Sequence, residues 1–212
     1  MRKLPNFERH DLGDEHVFFT GWLPTQLVPD VAQFESMWTM HPVEYHEVKI
    51  HGRLVCTPRW QQAFGMDYHY SGGVNRALPL PSILKPLVAW AKDTIDDRLN
   101  GVLLNWYEGK LGHYIGRHRD STVNMVSGAA IVTMSFGEGR IFRLRPWPAA
   151  RGKERRDFEA GNGTVFVMPF ETNLAWTHEV PAARNWTGRR MSVTFRAFKK
   201  SPTGTRERRA SQ

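Results

Sequence analysis

The sequence predicts an α+β protein with a mostly β core, a β-sandwich or jelly roll buttressed on one side by N-terminal helices. Three observations carry that expectation. Apolar residues recur at helical spacing only in the first half of the chain. From Val102 onward the sequence breaks into short β-branched and aromatic runs punctuated by Gly and Pro. The 212 residues, 41% hydrophobic and 12% aromatic, suffice to bury one substantial core. Helices followed by many short strands fit a single layered domain. The expected organisation is an N-terminal extension at 1–14, a domain at 15–198 and a basic tail at 199–212.

In chain order, the run His16-Val17-Phe18-Phe19-Thr20 predicts a strand. A helix is expected over about 25–40, with Leu27, Val31, Phe34 and Trp38 on one face and Pro42 closing it. Pro24 and Pro29 fit only near its first turn. Residues 48–50 and 53–55 flank His51-Gly52 as a hairpin, and Pro58-Arg59-Trp60-Gln61-Gln62 leads on to Tyr68-His69-Tyr70-Ser71. Ile83, Leu84, Leu87, Val88, Ala91 and Ile95 mark a second, core-packing helix. Strands are expected at 102–107, 130–136, 140–144, 164–168, 176–180 and 190–198, with a charged surface loop at 146–163.

Charge and cysteine usage narrow the function. A net charge of +8 favours a polyanionic partner such as nucleic acid. The tail adds Lys199, Lys200, Arg206, Arg208 and Arg209 against Glu207 alone, as disordered basic segments do. The single Cys56 excludes an internal disulfide and an iron cluster held by cysteines, and it fits a reducing compartment. With no apolar run of signal-peptide or membrane-spanning character, a soluble intracellular monomer is expected, cytoplasmic, or nuclear in a eukaryote.

The chemistry concentrates in Gly116-Arg117-His118-Arg119-Asp120-Ser121-Thr122. His118 and Asp120 sit two residues apart beside a strand, a spacing that lets both grip one metal ion. His178, in Trp176-Thr177-His178-Glu179-Val180, is the candidate third ligand, expected to reach the site across the sandwich. Two histidines and one carboxylate suit non-haem Fe(II) and leave coordination positions open. Even spacing puts Arg190, Ser192 and Arg196 on one strand face, with Val193 and Phe195 on the other. Two guanidinium forks match a small dicarboxylate, against the commoner use of arginine in surface ion pairs. The aromatic and Arg-bearing stretch at 43–71 can stack a base and hold phosphates, or be an ordinary half-buried sheet edge.

Asn105-x-Tyr107, His118-x-Asp120, His178 and Arg190-x5-Arg196 occur in the order and approximate spacing of the AlkB family of Fe(II)- and 2-oxoglutarate-dependent dioxygenases. The resemblance runs from about Pro58 to Phe198 and includes Pro58-Arg59, Tyr68-x-Tyr70-Ser71 and Ser135-x-Gly137. It implies a double-stranded β-helix with a nucleotide-recognition lid at 43–71, and Fe(II), 2-oxoglutarate and O2 as cofactor and cosubstrates. It also implies His118, Asp120 and His178 as iron ligands, and Arg190 with Tyr107 and Ser192 at the distal carboxylate of 2-oxoglutarate. Asn105 and Arg196 fall at the metal-chelating end, and Tyr68, with Tyr70, Arg59 and Trp60, on the substrate side. The implied reaction is oxidative dealkylation of N-alkylated bases in DNA or RNA, with release of formaldehyde. One departure stands out: many repair members follow the iron-binding Asp with further acidic residues, and here Ser121, Thr122, Val123 and Asn124 follow. Thr122 is the candidate base contact there. A hydroxylase of a small molecule or protein, and a non-enzymatic nucleic-acid-binding module, remain the alternatives.

Overall fold

The two longer helices fall in the first half of the chain and strands dominate the second, as the patterning requires, with one short helix, not expected from the sequence, at Phe170–Ala175. The structure, a computed structural model, describes residues 2–50, 52–70, 73–148 and 154–199. Residues 200–212 of the expected 199–212 tail, the turn residue His51 and Ser71 lie outside the described residues. Strands β1 (Glu8–Gly13) and β2 (His16–Trp22) form a hairpin, followed by α1 (Val31–Trp38) and a ribbon of β3 (Glu47–Ile50) and β4 (Arg53–Cys56). Next come β5 (Trp60–Phe64), a short hairpin of β6 (Tyr68–Tyr70) and β7 (Gly73–Asn75), and α2 (Lys85–Thr94). Strands β8 (Gly101–Glu108), β9 (Ile115–His118), β10 (Ile131–Gly137) and β11 (Arg140–Pro146) follow. The order closes with β12 (Arg156–Ala160), β13 (Thr164–Met168), α3 (Phe170–Ala175), β14 (Trp176–Val180) and β15 (Arg189–Arg196).

Seven strands pair in the order β1-β2-β13-β10-β15-β8-β5, and four in the order β12-β11-β14-β9. The two sheets enclose one hydrophobic layer between them, containing Phe18, Leu103, Ile131, Phe142, Leu144, Phe166 and Trp176. This is the expected jelly roll. The outer face of the larger sheet carries a second layer, where Val102, Leu104 and Trp106 meet Leu87, Ala91 and Ile95 on and beside α2. Because side chains alternate along a strand, β8 feeds both layers and is buried from Gly101 to Tyr107, apolar but for Asn105.

Several boundaries differ from expectation for local reasons. Residues 25–40 are not one helix. Thr25–Leu27 forms a 3₁₀ turn, Pro29 interrupts, and α1 starts from a capping box in which Asp30 accepts from the Gln33 amide and Gln33 accepts from the Asp30 amide. Val31 is accordingly 80% exposed and outside the core. The sheet begins at Glu8, inside the expected extension at 1–14, because β1 is an edge strand that presents mainly Leu12 and His10 inward. The expected loop at 146–163 contains β12, another edge strand, whose Asp157 is bound by both prongs of Arg143 at 2.6 and 2.7 Å. Among the described residues no helix is long and apolar enough to cross a membrane.

One buried carboxylate ties α2 to the sheet. Asp96 accepts from Arg98 Nε at 2.8 Å and Nη2 at 2.7 Å, and from the Ala130 amide at 3.2 Å. Burial pushes its pKa up, and these donors outweigh burial and hold it below the ordinary carboxylate value. Asp96→Ala is expected to cost about 2–3 kcal/mol at neutral pH by removing charge-assisted bonds and orphaning the amide. A depressed folded pKa means this contribution is present above the unfolded-state pKa and lost as pH falls through the folded one. Denaturant melts at pH 7 and in acid should show the wild-type advantage shrinking in acid; a gap independent of pH would refute the assignment.

Candidate active site

His118 and His178 are brought together by strand pairing. They are register partners across β9 and β14, both in the four-stranded sheet, with ring centroids 4.2 Å apart. The third ligand therefore comes from the neighbouring strand of the same sheet and not from across the sandwich. Asp120 lies two residues beyond the end of β9, and its Oδ1 stands 3.8 Å from Nε2 of each histidine. One ligand atom from each of the three falls within 4.8 Å of the others, a spacing that can hold one metal ion.

The surroundings set the protonation states. His118 Nδ1 donates to the Gly116 carbonyl at 2.8 Å, which leaves Nε2 as the free acceptor. Burial lowers the pKa of His118. Burial, reinforced by His118, pushes His178 down to about 3. Both imidazoles are neutral at physiological pH, the form that ligates a metal. Burial alone would raise the pKa of Asp120, but Arg196, followed by the two histidines, holds it well below the usual carboxylate range. Arg196 donates to Asp120 Oδ2 through Nε at 2.9 Å and Nη2 at 2.6 Å. The backbone of Asp120 is clamped by Asn173 on α3, which accepts from its amide at 2.9 Å and donates to its carbonyl at 3.1 Å.

These groups line a cavity of about 950 Å³ that opens between the sheets. Its floor includes a polar row built by register, in which Gln61, Asn105 and Ser192 are successive partners across β5, β8 and β15, and Ser135, next in register on β10, lies buried behind it. Arg190, opposite Tyr107, is fully buried, with its guanidinium 4.8 Å from the centre of the Tyr107 ring and Nε donating to Ser135 Oγ at 3.1 Å. Both terminal nitrogens of Arg190 are buried without a hydrogen-bond partner. A buried, half-satisfied guanidinium is costly unless an anion completes it. A carboxylate end of 2-oxoglutarate has the fork geometry and charge to do so, and the two-histidine, one-carboxylate set fits Fe(II).

The expected substrate-side residues divide. Tyr68, Tyr70, Arg59 and Thr122 line the cavity. Tyr68 is more deeply engaged than a base contact requires: its hydroxyl donates to Asp120 Oδ1 at 3.3 Å and its ring lies 4.6 Å from the Arg196 guanidinium. Arg59 is buried, bonding Asn105 at 2.9 Å and Gln61 at 2.8 Å, so it is part of the wall and not an exposed phosphate contact. Trp60 points away from the cavity, because alternation along β5 turns it to the opposite face, where it stacks on His41 at 4.1 Å and on Tyr45 at 5.5 Å. The sequence reading missed Asn173, for which no motif gives a signal. It also missed Trp147, 41% exposed at the mouth with the Arg119 guanidinium 5.0 Å from its ring centre.

Comparison with known proteins agrees with this geometry. The profile of the 2OG-Fe(II) oxygenase superfamily matches residues 22–196. The chain is 28% identical over 158 residues to the mouse DNA oxidative demethylase ALKBH2, covering 71% of this chain and 66% of that protein. It is 27% identical over 192 residues to the rat alpha-ketoglutarate-dependent dioxygenase alkB homolog 3, covering 86% of this chain and 61% of that protein. The chain thus spans somewhat under two thirds of the length of these relatives. A crystal structure of a 2OG-Fe(II) oxygenase family oxidoreductase from Burkholderia pseudomallei shares the fold, with TM-score 0.54, 18% identity and 84% of each chain covered.

Proposed function

The chain belongs to the 2OG-Fe(II) oxygenase superfamily, and from that premise we propose that it is a dioxygenase that removes alkyl groups from base nitrogens in DNA or RNA. The observation that carries the reading is the placement of His118, Asp120 and His178 in one cavity with the unpaired guanidinium of Arg190. His118, Asp120 and His178 would hold the iron. Arg190, with Tyr107 and Ser192, would hold the distal carboxylate of 2-oxoglutarate, and Asn105 would face its chelating end. Arg196 is assigned a positioning role, since its fork fixes the Asp120 carboxylate.

Fe(II), with 2-oxoglutarate and O2, would supply hydroxylation of an N-alkyl carbon coupled to loss of CO2 from 2-oxoglutarate, one oxygen atom entering succinate and the other the alkyl group. The hydroxymethyl adduct of an N-methyl base then breaks its C–N bond, releasing formaldehyde and leaving a proton on the nitrogen. The protein needs no nucleophile of its own; its residues bind, orient and exclude water. A base within a duplex cannot reach this enclosed cavity, so the target is flipped or single-stranded. The β3–β4 ribbon, paired with neither large sheet and contributing Val48 and Val55 to the cavity wall, is assigned as the nucleotide-recognition lid within 43–71. The AlkB-type relatives and the +8 net charge support nucleic acid as partner.

The test is anaerobic loading with Fe(II) and 2-oxoglutarate, then oxygen, following succinate and formaldehyde with and without methylated single-stranded DNA or RNA. Formaldehyde matched to restored base is the expected result. Succinate that no oligonucleotide stimulates would move the substrate to a small molecule or protein. Asn173→Ala, which frees the backbone of Asp120, is expected to weaken Mn(II) affinity by about 10–100-fold, the usual range for an outer partner of a metal ligand. Unchanged affinity by titration would show that the clamp has no part in metal binding.

A further inference from the structure

Five guanidiniums line the cavity, those of Arg59, Arg117, Arg119, Arg190 and Arg196. Among the described residues a single carboxylate lines it with them, that of Asp120, and Arg196 is bound to it. Among the described residues the remaining four guanidiniums make hydrogen bonds only to neutral groups. Arg59 bonds the Asn105 and Gln61 amides, Arg117 the Thr177 hydroxyl and the Pro146 carbonyl, Arg119 the Leu174 carbonyl, and Arg190 the Ser135 hydroxyl. Arg117 and Arg119 are exposed at the mouth and screened by solvent, whereas Arg59 and Arg190 are buried; arginine keeps its charge at neutral pH even when buried, so these two charges are not cancelled where they stand.

Loading the site leaves this excess in place. A divalent cation and a dianionic cosubstrate carry equal and opposite charge, so together they add nothing to the balance. The groups next to the metal ligands on the substrate side are Ser121 and Thr122, hydroxyls that bond neutral donors and acceptors but do not compensate a cation. A polar lining whose one carboxylate is already paired with Arg196, beside the two buried guanidiniums of Arg59 and Arg190, discriminates by charge before it discriminates by shape.

We infer that this cavity selects uncharged alkylated bases and disfavours cationic ones, with Thr122 as a determinant of that choice. The inference rests on the dealkylase reading and narrows its substrate class. Methylation at the pairing nitrogen gives both kinds. Adenine methylated at N1 and cytosine methylated at N3 are cations at neutral pH, whereas guanine methylated at N1 and thymine methylated at N3 lose their imino proton and stay neutral.

The experiment uses four single-stranded oligonucleotides of one sequence that differ only in the methylated base. Formaldehyde release by the Fe(II)-loaded full chain gives kcat/KM. Fluorescence anisotropy with Mn(II) and 2-oxoglutarate gives affinity without turnover. The neutral pair is expected to exceed the cationic pair by about tenfold or more in kcat/KM, with the same order in affinity. Thr122→Asp, which puts a carboxylate in the acid-free space, should shrink that ratio by about tenfold. Cationic bases processed or bound as well as neutral ones would overturn the inference and leave the dealkylase reading standing, and so would a ratio that Thr122→Asp leaves untouched. Succinate formation with no formaldehyde from any of the four would overturn both.

Discussion

Asp120→Asn is expected to abolish turnover, lowering it by at least about a thousandfold, or about 4 kcal/mol of activation free energy. The asparagine preserves volume and still offers Arg196 an acceptor oxygen, but it removes the only negative charge among the three candidate metal ligands. Asp120→Ala should lose turnover as fully and lose stability as well. It strands Arg196, 4% exposed, without its anion, and breaking a buried pair from one side costs about 3–5 kcal/mol. Comparing the two variants separates loss of ligation from loss of fold. Wild-type Mn(II) affinity and turnover in Asp120→Asn would show the triad assignment to be wrong.

The layered fold was legible because β8, β10, β13 and β15 are buried on both faces, and a short β-branched and aromatic run bounded by Gly or Pro is local information. The edge strands were not. β1 and β12 bury few side chains and carry charged sequences, so they read as loops although each pairs with a strand next to it in the chain, β2 and β11. The metal and cosubstrate candidates were legible because the chemistry demands particular residue types at fixed offsets. What the offsets could not show is how His178 arrives. Its position depends on the β14–β9 register, in which His178 lands opposite His118. Residues chosen for composition fared unevenly. Arg59 and Trp60 are sequence neighbours, and the pleat sends Trp60 to the helix-covered face while Arg59 bonds into the polar row of the cavity. Asn173 acts through a helix that follows β13 and through the backbone of Asp120, a relation that only tertiary structure creates.

Arg190→Met is expected to separate binding from stability in opposite directions. In the wild-type protein the fully buried guanidinium is held by Ser135 and the Tyr107 ring and faces no carboxylate. Burial lowers its pKa, with Tyr107 acting against that and Arg140 with it. Without cosubstrate such a group is a desolvated charge, and replacing it by an apolar side chain of similar length should hold or raise stability, by about 1–3 kcal/mol. The same change should raise the apparent KM for 2-oxoglutarate by about a hundredfold, the loss of about 3 kcal/mol of charge-assisted bonding. Arg190→Lys should recover little of this, because an ammonium cannot present two parallel donors to a carboxylate. Thermal melts with and without 2-oxoglutarate read both effects at once. Stabilisation by ligand scales with its concentration over its dissociation constant, so the rise in Tm that the cosubstrate gives the wild type should vanish in the variant. Affinity for a methylated oligonucleotide should stay within about twofold, since Arg190 sits on the cosubstrate side of the metal ligands. A variant that melts lower without ligand, or that loses oligonucleotide and 2-oxoglutarate affinity alike, would make Arg190 a structural residue of the sheet and leave the cosubstrate without an anchor in this cavity.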